Sequence, residues 1–130
     1  MTARADIGGV GASAPLYVAG DFLELVVTIL DGDGEPVDIA AAEDIRYVIT
    51  KQGAGGDPAG PVLVGKSLGS GIAITNGAAG QFTVTIANGE TGSLVGSHRH
   101  ECEVTDSEGR ISTVFLGSFV VTAQAIIPAA

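Results

Sequence analysis

The chain has one cysteine, two tyrosines and no tryptophan in 130 residues, and its six Lys and Arg are outnumbered by fifteen Asp and Glu. Each shortage removes a class of explanation. A lone thiol, Cys102, closes no intramolecular disulfide, so packing and strand pairing must supply stability, which suits a cytosolic folding environment. With a net charge of −9 and no basic cluster, the surface repels phosphate backbones, and nucleic acid is not an expected partner. The apolar runs are of strand length, and the N-terminus offers Arg4 but no apolar core ahead of a cleavage site. Neither a membrane span nor a signal peptide is read. Few aromatics leave little platform for sugar stacking, and no carboxylate pair stands out for glycoside hydrolysis.

Alternation is what the sequence does contain. In GDFLELVVTILDGDGEPVDI, residues 20–39, Leu23, Leu25, Val27 and Ile29 recur with period two, and Asp31-Gly32-Asp33-Gly34-Glu35-Pro36 supplies a tight turn. Leu16 to Val18 reads as an edge strand after Pro15. Ile45, Tyr47 and Ile49 form a second core strand, with Asp38 able to cap one helical turn before it. A loop tip over 53–60 precedes a strand from Val62 to Leu68, with Lys66 facing water. Ile72 and Ile74, the Asn76-Gly77 turn, and Phe82, Val84 and Ile86 make a hairpin. Asn88 to Leu94 is a single turn that drops Leu94 onto the open end of the core.

Over 97–106 the period-two rule places His98, His100, Cys102 and Val104 on one face. Asp106-Ser107-Glu108-Gly109 turns the chain into a strand over 110–122 that is apolar on both sides. Phe115, Phe119 and Val121 are assigned inward. Val114, Leu116 and Val120 are assigned to the other face and become interface candidates, together with Ile126 and Ile127 in the tail. The expected fold is all-β: an immunoglobulin-like antiparallel β-sandwich of about 7–8 strands with an extended N-terminal arm. The divisions are an arm over 1–15, the sandwich over 16–122 and a tail over 123–130.

Several catalytic and binding patterns match by letter and fail by context. Gly60 to Ser67 satisfies GxxxxGK[ST], but Pro61 lacks an N–H, Val62-Leu63-Val64 is strand, and no helix follows Ser67. Gly65-Lys66-Ser67-Leu68-Gly69 spells a nucleophile elbow without the helix that turn requires. Gly9 to Ala14 has dinucleotide-fingerprint spacing with no preceding strand and with Pro15 where the helix should begin. Asp31, Asp33, Glu35 and Asp38 lack the glycine position, the terminal Glu and the flanking helices of a calcium loop. His98, His100 and Cys102 are a sharper group, since i and i+2 on a strand point the same way and offer three zinc-compatible donors. No fourth ligand is evident, so the preferred reading is neutral, hydrogen-bonded core histidines, with a metal site as the alternative. No cofactor and no catalytic residue is assigned, and the chain is read as non-enzymatic.

The motifs taken in order, GDFLELVVTILDGDGEPVDI, IRYVITK, GIAITNGAAGQFTVTIANGETGSL, VTDSEGR and LGSFVVT, resemble the immunoglobulin-like domain of tailed-phage virion proteins. Such domains stand alone in morphogenesis gene clusters or at the N-terminus of upper-baseplate proteins, and the resemblance spans residues 16–122. His98 falls where that family often has an aromatic, usually Tyr. The resemblance implies a structural virion protein, made in the host cytoplasm and present in many copies, whose partners are other virion proteins. A baseplate anchor would continue into a fibre-bearing segment, whereas here the sequence stops soon after the last strand. A capsid-bound decoration or cement protein is therefore expected ahead of a tail or baseplate adaptor. A surface-displayed immunoglobulin-like binding module of bacteria is the third reading.

Overall fold

The computed structural model describes residues 4–8, 16–53 and 58–123. Its strands in chain order are β1 Arg4–Gly8, β2 Leu16–Val18, β3 Leu23–Leu30, β4 Asp44–Gln52, β5 Pro58–Leu68, β6 Gly71–Asn76, β7 Gln81–Ile86, β8 Gly96–Thr105 and β9 Ile111–Thr122. One short helix, α1 Asn88–Thr91, lies between β7 and β8, and a 3-10 turn spans Gly77–Ala79. Hydrogen bonding links the nine strands in the order β1-β3-β7-β6-β5-β4-β8-β9-β2. The chain steps from one layer to the other at the β5–β6 corner, where only Ser67↔Gly71 and Leu68↔Ile72 pair. The half β1-β3-β7-β6 then faces β5-β4-β8-β9-β2 across one core. This is the ABED against C′CFG arrangement of an immunoglobulin-like sandwich, with β2 running parallel to β9.

Side-chain alternation explains why these segments pair as they do. On β3, Leu23, Leu25, Val27 and Ile29 are buried, and opposite them on β7 so are Phe82, Val84 and Ile86. The facing layer contributes Ile45, Tyr47 and Ile49 from β4 and His98, His100, Cys102 and Val104 from β8. Leu94, just after α1, is buried against the same core, as its apolar character after a turn suggests. Each apolar side chain withdrawn from water in this way stabilises the fold by about 1.5–3 kcal/mol.

Four expectations need correction. Residues 4–8, expected to belong to an extended N-terminal arm, form β1 and pair antiparallel with β3 from Arg4↔Leu30 to Gly8↔Val26, so the sandwich gains a strand; residues 1–3 and 9–15 lie outside the described residues. β5 begins at Pro58, inside the expected loop tip. Lys66 does not stand in water. It lies opposite Tyr47 in the register, and its Nζ donates to both carboxylate oxygens of Glu90 at 2.7 and 3.0 Å. The fourth correction concerns β9. Its pairing with β8 slips by one residue between Cys102 and Glu103, opposite Phe115 and Thr113, which leaves Val114 as the extra residue of a β-bulge. Inward parity therefore changes along the strand: Val114 is buried before the slip, and Phe119 and Val121 after it. Val114 is a core residue and not an interface candidate, while Leu116 is exposed and Val120 half-buried. Ile126 and Ile127 lie outside the described residues.

The bulge and the register are tested together. Leu25→Ala and Phe119→Ala should each lower stability by about 2–5 kcal/mol in urea denaturation. Val114→Ser should cost more than about 2 kcal/mol because it leaves a hydroxyl and a void in the core, whereas Leu116→Ser should stay within about 1 kcal/mol. Equal losses at 114 and 116 would mean that β9 carries no parity change.

Candidate functional site

The polar side chains that sequence reasoning singled out lie on the inner face of β8, and the structure gives each a different neighbour. His100 is the hub. Tyr47, fully buried on β4, places its hydroxyl 2.9 Å from His100 Nδ1, a hydrogen bond whose donor is set by which ring nitrogen of the neutral imidazole carries the proton. Around this pair stand Phe115 and Phe119, with ring centroids each 5.1 Å from His100, and Tyr17 stacks on Phe119 at 4.4 Å. The cluster occupies the place where antibody domains carry a Trp on strand C against an inter-sheet disulfide. Here Tyr47 takes the strand-C position, and Cys102 lies directly across from it in the β4–β8 register.

Burial sets the charge states in this cluster. Loss of water pushes the His100 imidazole down to about 4 and raises the Tyr47 hydroxyl well above its ordinary value. Burial, aided by Glu103, pushes the Cys102 thiol up to about 12, which removes its nucleophilic and ligand form at neutral pH. His98 turns its Nδ1 to the Gly96 carbonyl oxygen at 3.2 Å, away from the Tyr47–His100 pair. Among the described residues no three His, Cys, Asp or Glu side chains converge as metal ligands. Periodicity brought the three side chains to one face, and that face is the core.

At one end of the sandwich the loops build a different environment. The β3–β4 and β8–β9 connections use the same device, D-x-x-G-x. Asp31 Oδ1 accepts from the N–H groups of Asp33 and Glu35 at 2.8 and 3.1 Å, and Asp106 Oδ1 accepts from those of Glu108 and Arg110 at 2.9 and 3.0 Å. The fourth residue is Gly34 in one turn and Gly109 in the other, with φ of 81° and 79°, a left-handed backbone that glycine adopts without strain. The acidic run Asp31, Asp33, Glu35 is thus a turn whose leading carboxylate is spent on backbone donors. The 3-10 turn joins this end through the Gly77 carbonyl, which accepts from Ile39 N–H at 2.9 Å.

Between the two Asp turns opens a cavity of about 120 Å³. Ile29, Val37, Ile39, Ala42, Val104 and Val114 give it an apolar lining, and Asp38, Asp106, Ser107 and Arg110 stand among its polar groups. Asp106 Oδ2 holds Arg110 Nε at 2.7 Å, and hydrogen bonds from the Arg110 backbone, then its side chain, keep the Asp106 carboxyl below the usual carboxylate range. The cavity is suited to an aliphatic group and has no nucleophile paired with a base among its lining residues. Sequence reading missed it because its wall comes from three separated segments, although the repeated D-x-x-G turns marked two of them.

No helix among the described residues is long and apolar enough to cross a membrane. No family model and no curated protein sequence matches the chain. Among solved structures it is similar to MtrC from Shewanella baltica, with a TM-score of 0.53 and 11% identity over 98% of this chain and 24% of that one. Lesser likenesses are the Lin-41 filamin domain, at a TM-score of 0.43 and 14% identity over 90% of each chain, and AggA, the major subunit of aggregative adherence fimbriae type I from Escherichia coli. The last has a TM-score of 0.31 and 10% identity, over 95% of this chain and 98% of that one. At these identities the likeness bears on the fold alone.

The buried imidazole makes stability depend on pH. The unfolded chain takes up the His100 proton below about pH 6.5, while the folded chain refuses it down to about 4, so the unfolded state holds more protons in that window. The contribution of this group is complete above pH 6.5 and is lost as pH falls, by about 3 kcal/mol in all. Urea midpoints between pH 7 and 5, above most carboxylate titration, should fall for the native chain. The fall should flatten in the double variant Tyr47→Phe/His100→Phe, which removes the imidazole and leaves no orphaned hydroxyl.

Proposed function

We propose that the chain is a non-enzymatic structural component of a tailed-phage or phage-like particle, bound to the capsid as a decoration or cement protein and surrounded by other virion proteins. The observation that supports this best is where the resembling motifs fall. GDFLELVVTILDGDGEPVDI becomes β3 with its Asp31 turn, and IRYVITK lies within β4. GIAITNGAAGQFTVTIANGETGSL runs through β6, the 3-10 turn, β7 and α1 to Leu94, VTDSEGR forms the β8–β9 hairpin, and LGSFVVT lies within β9. The ordered set thus falls, in chain order, on strands and turns of one sandwich. The similar solved structures add the fold and nothing about role.

The non-enzymatic part of the reading draws on how the reactive groups are used. His98, His100 and Cys102 are buried, Lys66 is paired with Glu90, and Asp106 with Arg110. Exposed apolar side chains such as Leu63, Ile111 and Leu116 are instead available for contact with a neighbour.

Particles purified on a density gradient from a producing culture should contain this chain in fixed proportion to the major capsid protein by quantitative mass spectrometry. Antibody against the chain should decorate heads in electron micrographs. Label confined to tails or baseplates would move the protein to the adaptor role. Absence from particles, with the chain recovered at the cell surface, would overturn the virion reading.

A further inference from the structure

His100 is held from both sides of β8, and its two neighbours are not equally anchored. On β4 the Tyr47 hydroxyl meets its Nδ1 at 2.9 Å, and on β9 Phe115 and Phe119 pack their rings 5.1 Å from it. β4 pairs with β8 without a break from Asp44↔Thr105 to Lys51↔His98 and is backed on its far side by β5. β9 pairs with β8 through a register slip, and beyond it lies only β2, three residues joined to Val120, Val121 and Thr122. From Ile111 to Phe119, β9 has no strand paired on its outer side among the described residues. Parting β8 from β4 would divide the layer, whereas parting it from β9 frees one flank. That flank also has a natural stop, because the buried Thr91 accepts the Gly20 N–H at 3.1 Å and donates to the Asp21 carbonyl at 2.7 Å, pinning the chain just after β2 to α1.

The groups around the ring make an imidazolium costly in the closed form. Tyr47 faces it from β4 and Phe115, Gly117 and Phe119 from β9, with Tyr17 of β2 stacked on Phe119. His98 and Cys102 flank it on β8, Lys51 lies exposed opposite His98, and Arg99, Glu101 and Glu103 alternate with these and point to the outer face. The buried side chains that β3 and β7 contribute from the opposite layer are all apolar. No carboxylate among the described residues faces the ring, so its proton is accepted where water reaches it. We infer that the β9–β2 flank is an acid-opened edge: on protonation of His100, β9 and β2 part from β8 while β3, β7 and the β4–β8 ladder stay formed, and the ring faces of Phe115, Phe119 and Tyr17 meet water. The proposal names the part of the molecule that yields, beyond the fall in overall stability, and does not depend on the virion reading.

Native-state amide exchange of the full chain at pH 7 and pH 5, with low concentrations of urea added, tests it. Amides in the β8–β9 and β9–β2 ladders should exchange through an opening of shallow urea dependence, since little surface is exposed, while those of β3, β7 and the β4–β8 ladder should need the steep dependence of global unfolding. The ring ionises at about 4 when buried and about 6.5 when hydrated. Flank protection, after allowance for the pH dependence of intrinsic exchange, should therefore fall roughly twentyfold between pH 7 and pH 5. The fall should vanish in Tyr47→Phe/His100→Phe and in a second form, Tyr47→Phe/His100→Leu, which avoids a further ring in the cluster. Flank amides that share the slope and protection of β3, flank protection unchanged between the two pH values, or an undiminished fall in whichever variant folds would each overturn the proposal. The first two outcomes are read from the native chain alone, so the proposal can fail even if neither variant folds.

Discussion

The constraint at the centre of the β4-β8-β9 layer is one hydrogen bond, that between the Tyr47 hydroxyl and His100 Nδ1. Two polar groups in a core lined by Phe115 and Phe119 are tolerable only while they satisfy each other, because an orphaned buried donor or acceptor costs about 1–3 kcal/mol. The pair therefore constrains register as well as stability. Sliding β4 against β8 by one residue would turn Tyr47 outward and strand the imidazole. The bulge in β9 fits the same constraint, since it lets Val114 and Phe119, of opposite parity, both turn inward while Phe115 stays in ring contact with His100. The aromatic and imidazole cluster lies wholly within the β4-β8-β9-β2 side of the sandwich and fixes the register of that layer.

Much of this was legible in advance, for a clear reason. β3, β4, β7 and β8 alternate strictly in burial, or nearly so, and period two alone sorted Leu25, Tyr47, Val84 and Cys102 inward. The D-x-x-G turns were legible because their chemistry is local: an aspartate, two backbone donors and a glycine within five residues. β9 was misread because Val114, Phe115 and Leu116, and again Phe119, Val120 and Val121, are apolar in succession, and a pattern with no polar phase cannot reveal a one-residue slip. β1 was missed because five residues reading RADIG have no periodicity of their own and become strand only through the open edge of β3. The Lys66–Glu90 pair spans 24 residues and depends on α1 returning to β5, which nothing near Lys66 announces. The cavity was hidden for the same reason, its wall being assembled from distant segments.

The acidic surplus is also better understood from the structure than from its total. Asp31 and Asp106 organise turns, Glu90 accepts from Lys66 and from the Ala87 N–H, and Glu101 lies 3.7 Å from Arg99. Many carboxylates thus have assigned local tasks, which a bare net charge conceals. Those with backbone donors, like Asp31 and Asp106, hold by hydrogen bonds the turns that flank the cavity.

Cys102 carries a consequence of another kind. Its thiol is fully buried beside Tyr47 and held protonated by burial, so an electrophilic dye in neutral solution meets almost no thiolate in the native chain. Only when β8 separates from its neighbours does the sulfur reach water and regain ordinary reactivity. The single cysteine is thus a built-in clock: its modification rate counts how often this molecule opens.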